Sequence, residues 1–326
     1  MRVRFWGVRG SIPTPGTGAD VVARMVDMIT RLGHDTAAPD LRDRQAVQQW
    51  VEALPAALNS PVGGNTPCVE MRTESGELFI IDFGSGLRML GNEMMNGPFG
   101  QGQGRAHLFL SHFHWDHIQG WPFFRPVYVE GNEFDLYSRH EDVELNLQKQ
   151  MSAPFFPPDA WAEMRANVRY HPLPEGTLSL CDGAVKVTSL ELDHPSRAFA
   201  YRFEADGAVF VYASDGSFPL PEMLEATQYI DFFAGADLVI FDAQFSLAES
   251  LQKRDWGHSS GITGVDLACR AGAKRIALFH HDPNANDAHL DELLSASEKF
   301  AIAPNMSCTP GRVDVFLARE GLELEL

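Results

Sequence analysis

Three histidines and an aspartate, His112, His114, Asp116 and His117, fall within six residues, in the run Leu110-Ser111-His112-Phe113-His114-Trp115-Asp116-His117. The apolar run before them, His107-Leu108-Phe109-Leu110, reads as a buried strand. A polar turn follows, then Ile118-Gln119-Gly120-Trp121-Pro122. A strand ending in such a cluster aims several donor atoms at one place. Imidazole nitrogen combined with carboxylate oxygen suits Zn²⁺, Mn²⁺ or Fe better than Mg²⁺ or Ca²⁺. The alternation of His112 and His114 puts both rings on one side of an extended segment. Asp116 and His117 sit on the turn and can face a second ion. The bland alternative is a polar loop with chance histidines, but clustered donors at ligand spacing favour a metal.

The elements that must position this cluster repeat one pattern, an apolar strand ending in polar residues. Residues 185–192 read as a strand ending in Asp193-His194-Pro195, where Pro195 stiffens the turn that presents His194. An aromatic strand over 199–203 follows. Residues 209–213 form another apolar strand, closed by Ser214-Asp215-Gly216. A buried strand over 236–241 ends in Asp242-Ala243-Gln244-Phe245, and Trp256-Gly257-His258-Ser259-Ser260 comes after it. A helix over Gly261–Ala271 leads to a strand over Arg275–Phe279, which ends in His280-His281-Asp282-Pro283. Taken alone, a single histidine is usually just a satisfied polar residue, and Asp215 could cap the next helix.

Upstream, residues 2–8 read as a first strand closed by Gly7, followed by the turn-rich loop Arg9-Gly10-Ser11-Ile12-Pro13-Thr14-Pro15-Gly16. About forty residues separate it from Gly63-Gly64-Asn65-Thr66-Pro67-Cys68-Val69-Glu70, more than an ordinary loop needs. Val21, Met25, Met28 and Leu32 recur at helical spacing, as do Val47, Val51, Leu54 and Leu58. The spacing predicts an inserted helical hairpin within 17–62, with Pro39 in its connection. It is either a surface decoration or a lid or dimerisation element beside the site. Residues 69–73 and 78–82 form a hairpin through Ser75-Gly76. The phrase Phe79-Ile80-Ile81-Asp82-Phe83-Gly84-Ser85-Gly86 follows, and it lacks the Gly-x-Ser-x-Gly of a nucleophile elbow. Residues 97–104 are a Gly-rich loop.

Past the His/Asp cluster, 126–138 read as two short strands and 141–170 as mostly helical with a Pro-rich break at 154–158. Phe155, Phe156 and Trp161 are expected in the core. A helix over 287–300 and a strand over 312–318 complete an α/β pattern without internal repeats. Calcium-loop and Walker phosphate-loop motifs are absent.

The chain has 326 residues, 44% hydrophobic and 21% charged, enough for a sizeable core in one domain, 1–326. The net charge is −18, a poor balance for general nucleic-acid binding, which rests on Lys and Arg. Ordinary solubility explains it. Cys68, Cys181, Cys269 and Cys308 lie far apart with no Cys-x-x-Cys pair, so they are expected as reduced, mostly buried thiols. The N-terminus lacks the marks of a signal peptide, and no run approaches the ~18 apolar residues of a membrane span. A cytoplasmic, disulfide-free protein is the expectation.

The His-x-His-x-Asp-His pattern resembles the metallo-β-lactamase superfamily, specifically the phosphodiesterases related to ribonuclease Z, the tRNA 3′-processing endonuclease, and to PhnP. The resemblance extends to the phrase ending in Asp82, to Asp193-His194-Pro195, to the strand ending in Asp215, and to the Gly257-His258-Ser259 motif with the helix and strand after it. It implies a four-layer αββα sandwich, here with the helical insertion near its N-terminus, and two divalent transition-metal ions. Zn²⁺ comes first, with Mn²⁺ or Fe as alternatives. By that match His112, His114 and His194 hold one ion, Asp116, His117 and His280 hold the other, and Asp215 bridges them. A carboxylate suits the bridge because each oxygen can take one ion. His280 is preferred over its rival His281 because it comes first after the apolar strand. Asp82 would accept a hydrogen bond from a ligand histidine and fix its tautomer.

The implied chemistry is hydrolysis by a hydroxide that two close cations make available near neutral pH. Asp116 would orient it, His258 would protonate the leaving oxygen, and Asp242 would hold His258 in the correct tautomer. The expected function is phosphodiester hydrolysis of a small nucleotide-like or cyclic substrate. Hydrolysis of a lactone, thioester or β-lactam is one alternative, though those enzymes generally lack this Gly-His-Ser acid. A non-catalytic metal-bound biosynthesis or binding protein is another, but it should have lost ligands, and all seven positions are filled here. Redox chemistry would need a flavin or thiol-reactive partner that the sequence does not show. Ribonuclease Z grips tRNA with a basic arm, and no Lys/Arg-rich segment here matches it. Arg24, Arg31, Arg42 and Arg44 are offset by acidic neighbours. tRNA is therefore expected to be an unlikely partner, a membrane is not expected, and a homodimer is open.

Overall fold

The computed structural model describes residues 1–219, 226–303 and 313–326. In chain order the strands are β1 (Arg2–Gly7), β2 (Cys68–Arg72), β3 (Leu78–Ile81), β4 (Arg105–Phe109), β5 (Glu133–Ser138), β6 (Asn167–Pro172), β7 (Thr177–Leu180), β8 (Val185–Glu191), β9 (Phe199–Ala205), β10 (Ala208–Ala213), β11 (Leu238–Asp242), β12 (Arg275–Phe279), β13 (Asp314–Leu317) and β14 (Glu323–Glu325). The helices are α1 (Gly18–His34), α2 (Arg44–Glu52), α3 (Ala56–Asn59), α4 (Gly86–Met94), α5 (Trp115–Ile118), α6 (Val143–Gln150), α7 (Thr227–Phe233), α8 (Leu247–Gln252), α9 (Gly261–Ala271) and α10 (Asp287–Ala301).

Residue alternation decides how these elements stack. In β4, Ala106 and Leu108 face an outer helical layer, while Phe109 faces inward. In β3, Leu78 and Ile80 face outward and Phe79 and Ile81 inward. A strand apolar on both faces must be covered on both. The outward set packs under α4 and α6 through Leu87, Leu90 and Leu147. The inward set meets the second sheet, with Phe109 to Phe203 at 5.1 Å, Phe109 to Tyr201 at 5.3 Å and Phe79 to Phe203 at 6.0 Å between ring centres. Burying each such ring contributes about 1.5–3 kcal/mol. Helices α7, α9 and α10 close the far side through Phe233, Val265 and Leu290. The result is the αββα sandwich.

Among the described residues each sheet has seven strands, ordered β14-β1-β2-β3-β4-β5-β6 and β13-β12-β11-β10-β9-β8-β7. Strands β3 to β6 run parallel, as do β10 to β13. Parallel strands deliver their C-terminal ends to one edge, and there the polar strand-end phrases gather.

Several expectations need correction. Residues 125–128 form a 3-10 turn built on Pro126, so 126–138 hold one strand, β5. The stretch 141–170 is helical only over Val143–Gln150, because the prolines beyond cannot continue a helix and Asn167–Pro172 joins the sheet edge as β6. Phe155 is 78% exposed, whereas Phe156 and Trp161 pack against the outer core as expected. Cys269 is disulfide-bonded, while Cys68 and Cys181 are free and Cys308 lies outside the described residues. Spacing along a chain does not report the close approach in space that pairing requires.

In the 17–62 segment, α1 starts with a reciprocal Thr17–Asp20 capping box. Pro39 lies in the connection, and the second helix stops before Pro55, which leaves α3 as a separate turn. Trp50 Nε1 donates to Asp35 Oδ2 at 2.8 Å, joining α2 to the end of α1. No residue of α1 or α2 is buried. Among the described residues no helix is long and apolar enough to cross a membrane.

Candidate metal centre

The ends of β3, β4, β8, β10, β11 and β12 converge on one point. Three residues turn the chain there with left-handed backbones: Asp82 (φ 60°), Asp215 (φ 58°) and His280 (φ 58°). Such backbone costs of order 1–3 kcal/mol per residue, so surrounding contacts must impose it. Two close approaches confirm the crowding. A Cβ on Gly10 would lie 2.5 Å from the His280 ring, and one on Gly257 would lie 2.4 Å from His194.

Two groups of donor atoms result. His112, His114, His194 and Asp215 each bring one donor atom within 4.8 Å of the others, and so do Asp116, His117, Asp215 and His280. Asp215 belongs to both. Its Oδ1 lies 3.1 Å from His117 Nε2 and 3.2 Å from His280 Nε2, while its Oδ2 lies 3.6 Å from His112 Nε2. Asp116 Oδ2 lies 3.1 Å from His280 Nε2 and 3.4 Å from His117 Nε2. Ligands about 2.0–2.1 Å from a tetrahedral ion stand about 3.4 Å apart, so these separations suit a divalent metal. His112 Nε2, His194 Nε2 and Asp215 Oδ2 are buried without hydrogen-bond partners. Such orphans are rare unless something else satisfies them. The residues therefore fit the divalent ions that the fold implies.

The surroundings hold each donor in place. Asp82, fully buried, accepts from Ser111 N (2.7 Å), Ser111 Oγ (2.7 Å), Tyr212 Oη (2.6 Å) and His117 Nδ1 (2.7 Å). That leaves His117 Nε2 facing the centre. Ser11 N donates to Asp116 Oδ2 at 2.7 Å, and Ser196 Oγ lies 3.1 Å from His194 Nδ1. Ser11, Ser196 and Tyr212 were not singled out by the sequence. Ser11 lay in a loop read only as turn-rich, and nothing along the chain marks Tyr212 as facing Asp82.

Electrostatics agree with a site built for cations. Burial pulls His112 well below the usual imidazole range and His194 down to about 4. Asp116 and Asp215 stay well below the carboxylate range, since the nearby His117 and His280 outweigh the opposing effect of burial. For His117 burial again opposes, but Asp215, Asp116 and Asp82 raise it. Of the seven donors only His114 is exposed, with Trp115 beside it 75% exposed, so the centre opens to solvent there.

His258 borders the centre. Its ring stacks on His280 at 4.9 Å, and its Nδ1 lies 2.8 Å from Asp242 Oδ2. Burial lowers its pKa, but the charge and hydrogen bond of Asp242 prevail and raise it to about 9. A cleft of about 660 Å³ adjoins it, lined by His194, Tyr229, Phe218, Asp193 and His258 among others. His281 points elsewhere: its Nε2 donates to Ala318 O at 3.0 Å.

A sandwich with its polar strand ends gathered into such a centre defines a metal-dependent hydrolase fold. The chain belongs to the β-lactamase superfamily, whose domain model matches residues 80–281. A ribonuclease Z from Halorubrum lacusprofundi is 25% identical over 267 residues, covering 68% of this chain and 82% of that one. Two solved structures share the fold. The metallo-β-lactamase fold protein YhfI from Bacillus subtilis has a TM-score of 0.62 at 17% identity, covering 100% of this chain and 98% of that one. The short form of human tRNase Z has 0.59 at 16%, covering 100% and 99%. The ribonuclease Z relatives overturn the expectation that tRNA is an unlikely partner. Net charge summed over a whole chain does not describe the local surface that meets a nucleic acid.

Proposed function

We propose that the chain is a metal-dependent phosphodiesterase with a two-ion centre, Zn²⁺ first and Mn²⁺ or Fe as alternatives. His112, His114 and His194 would hold one ion, Asp116, His117 and His280 the other, and Asp215 both. Bound there, the ions would supply Lewis-acid stabilisation of developing charge and a nucleophile at neutral pH. The chain's own residues do the rest. Ser11 N–H fixes Asp116, which orients the attacking group. His258, its Nδ1 held by Asp242, presents Nε2 as the proton donor to the departing oxygen. The adjoining cleft gives the leaving portion a place to sit.

The observation that carries this reading is the His258–Asp242 pair, 2.8 Å apart, with the His258 ring stacked on His280 at the rim of the donor cluster. An acid at that position serves a substrate whose leaving group needs a proton. The ribonuclease Z relatives support a tRNA as the first phosphodiester to test, followed by a small nucleotide-like or cyclic one.

The test compares leaving groups. A ribose alkoxide needs protonation, and p-nitrophenolate does not. With a general acid contributing about 10²–10⁴-fold, His258→Ala should lose about that much on a tRNA precursor or an unactivated nucleotide diester. It should keep most activity on bis(p-nitrophenyl) phosphate, with metal content unchanged. Asp242→Asn should show the same selectivity more weakly. Equal losses on both substrates with metal intact would remove the general-acid role.

A further inference from the structure

The end of the stack opposite the metal centre holds a second convergence of donor side chains. Glu77 precedes β3 whereas Asp82 follows it, and five residue steps at ~3.3 Å separate the two by roughly 16 Å. His107 lies in β4, its ring stacked on Phe79 at 4.9 Å and 5.9 Å from Tyr137. Cys181 follows β7, the edge strand of the other sheet. One donor atom from each of Glu77, His107 and Cys181 lies within 4.8 Å of the other two. We propose that these three side chains form a second transition-metal site, of the Zn²⁺ type, which ties the edge of one sheet to the middle of the other.

The spacing supports a metal. Cys181 Sγ and His107 Nε2 are 3.6 Å apart. Zn–S near 2.3 Å and Zn–N near 2.0–2.1 Å at a tetrahedral angle put S and N about 3.6 Å apart. A thiol–imidazole hydrogen bond accounts for two of the donors, and the Glu77 carboxylate adds a third at the same place. His107 Nδ1 is buried without a partner, so Nε2 is the ring's polar engagement. Thiolate with imidazole selects Zn²⁺ over Mg²⁺ or Ca²⁺. Exposed Glu77 leaves an approach from solvent and room for water as a fourth ligand.

The protonation states agree. Burial keeps the His107 ring below the usual imidazole range, so it is neutral and has a lone pair to give. Burial, with Glu77 and Asp182 adding to it, raises the Cys181 thiol to about 11. Binding therefore exchanges a proton for the metal: the S–H bond breaks, a sulfur–metal bond forms, and one proton leaves to solvent.

Cobalt distinguishes this site from the first, whose assigned donors are all nitrogen and oxygen. Co²⁺ should be titrated anaerobically into chelator-stripped full-length protein. A thiolate-to-cobalt charge-transfer band in the near ultraviolet is expected, along with the visible bands of nitrogen and oxygen ligation. Cys181→Ser should abolish the near-ultraviolet band and keep the visible ones. Glu77→Gln, a surface change that spares folding, should shift the near-ultraviolet titration to at least tenfold higher cobalt. No such band in the wild type, or a band that survives in Cys181→Ser, would overturn the proposal.

Discussion

The metal centre and the α1–α2 segment are opposites in construction. At the centre six of the seven donors are buried, and each is tied to a strand end or to the short helix after β4. In α1 no residue is buried, and Val21, Val22, Met25, Val26 and Ile29 stand 49–68% exposed. One region is over-determined and stores backbone strain, while the other is attached mainly through its ends and a few polar ties such as Arg24 to Asp287. A residue's chemistry can thus announce its place, whereas an amphipathic pattern announces only an element.

The contrast predicts a graded series of substitutions. Asp215→Ala should have the largest effect. It removes the donor common to both groups, so metal analysis should show loss of bound ions and turnover should fall to background. Retention of full metal and rate would break the bridging role.

His280→Ala against His281→Ala should come next. The first should deplete metal and activity. The second should keep both and lose about 1–3 kcal/mol of stability, because Ala318 O loses its donor. Denaturant melts with metal analysis decide, and a reversed pattern would exchange the two histidines' assignments.

Asp82→Asn is milder. It keeps the shape but weakens the hold on His117, and loss of such an outer partner typically costs 10–100-fold in metal affinity. A chelator competition series measures this. Unchanged affinity would mean that Asp82 serves the fold alone.

Ile29→Lys in α1 should be smallest, within about 0.5 kcal/mol of wild type in thermal or chemical melts. A loss of several kcal/mol would show that this face is covered in solution, and would bring the two regions closer in kind.

The same contrast explains what could be read from the sequence. The β4 cluster was legible because four donors in six residues have few other uses, and the buried strands because apolar runs end abruptly in Asp or His. His258 and Asp242, sixteen residues apart, were linked only by the family resemblance, and their 2.8 Å contact depends on the turn after α8. β6 was misread as helix because Asn167–Pro172 lies at a sheet edge, half-exposed, with no continuous apolar run. α4 went unread since Gly86 and Gly91 weaken its helical signature. The disulfide at Cys269 was invisible because nothing in the spacing marks it.

The cluster at Asp82 also bears on how the protein tolerates change. Its four hydrogen bonds come from both sheets, Ser111 and His117 on one side and Tyr212 on the other, while Tyr201 Oη donates across the gap to Leu110 O at 2.5 Å. The distance between the sheets and the aim of the histidines are therefore one variable. Any packing change among Phe79, Phe109 and Phe203 that moves the sheets by a few tenths of an ångström is felt first at the donor atoms. The aromatic interior thus sets the aim of the donor atoms as well as the packing of the fold, and the core of this protein is constrained as if it were part of its chemistry.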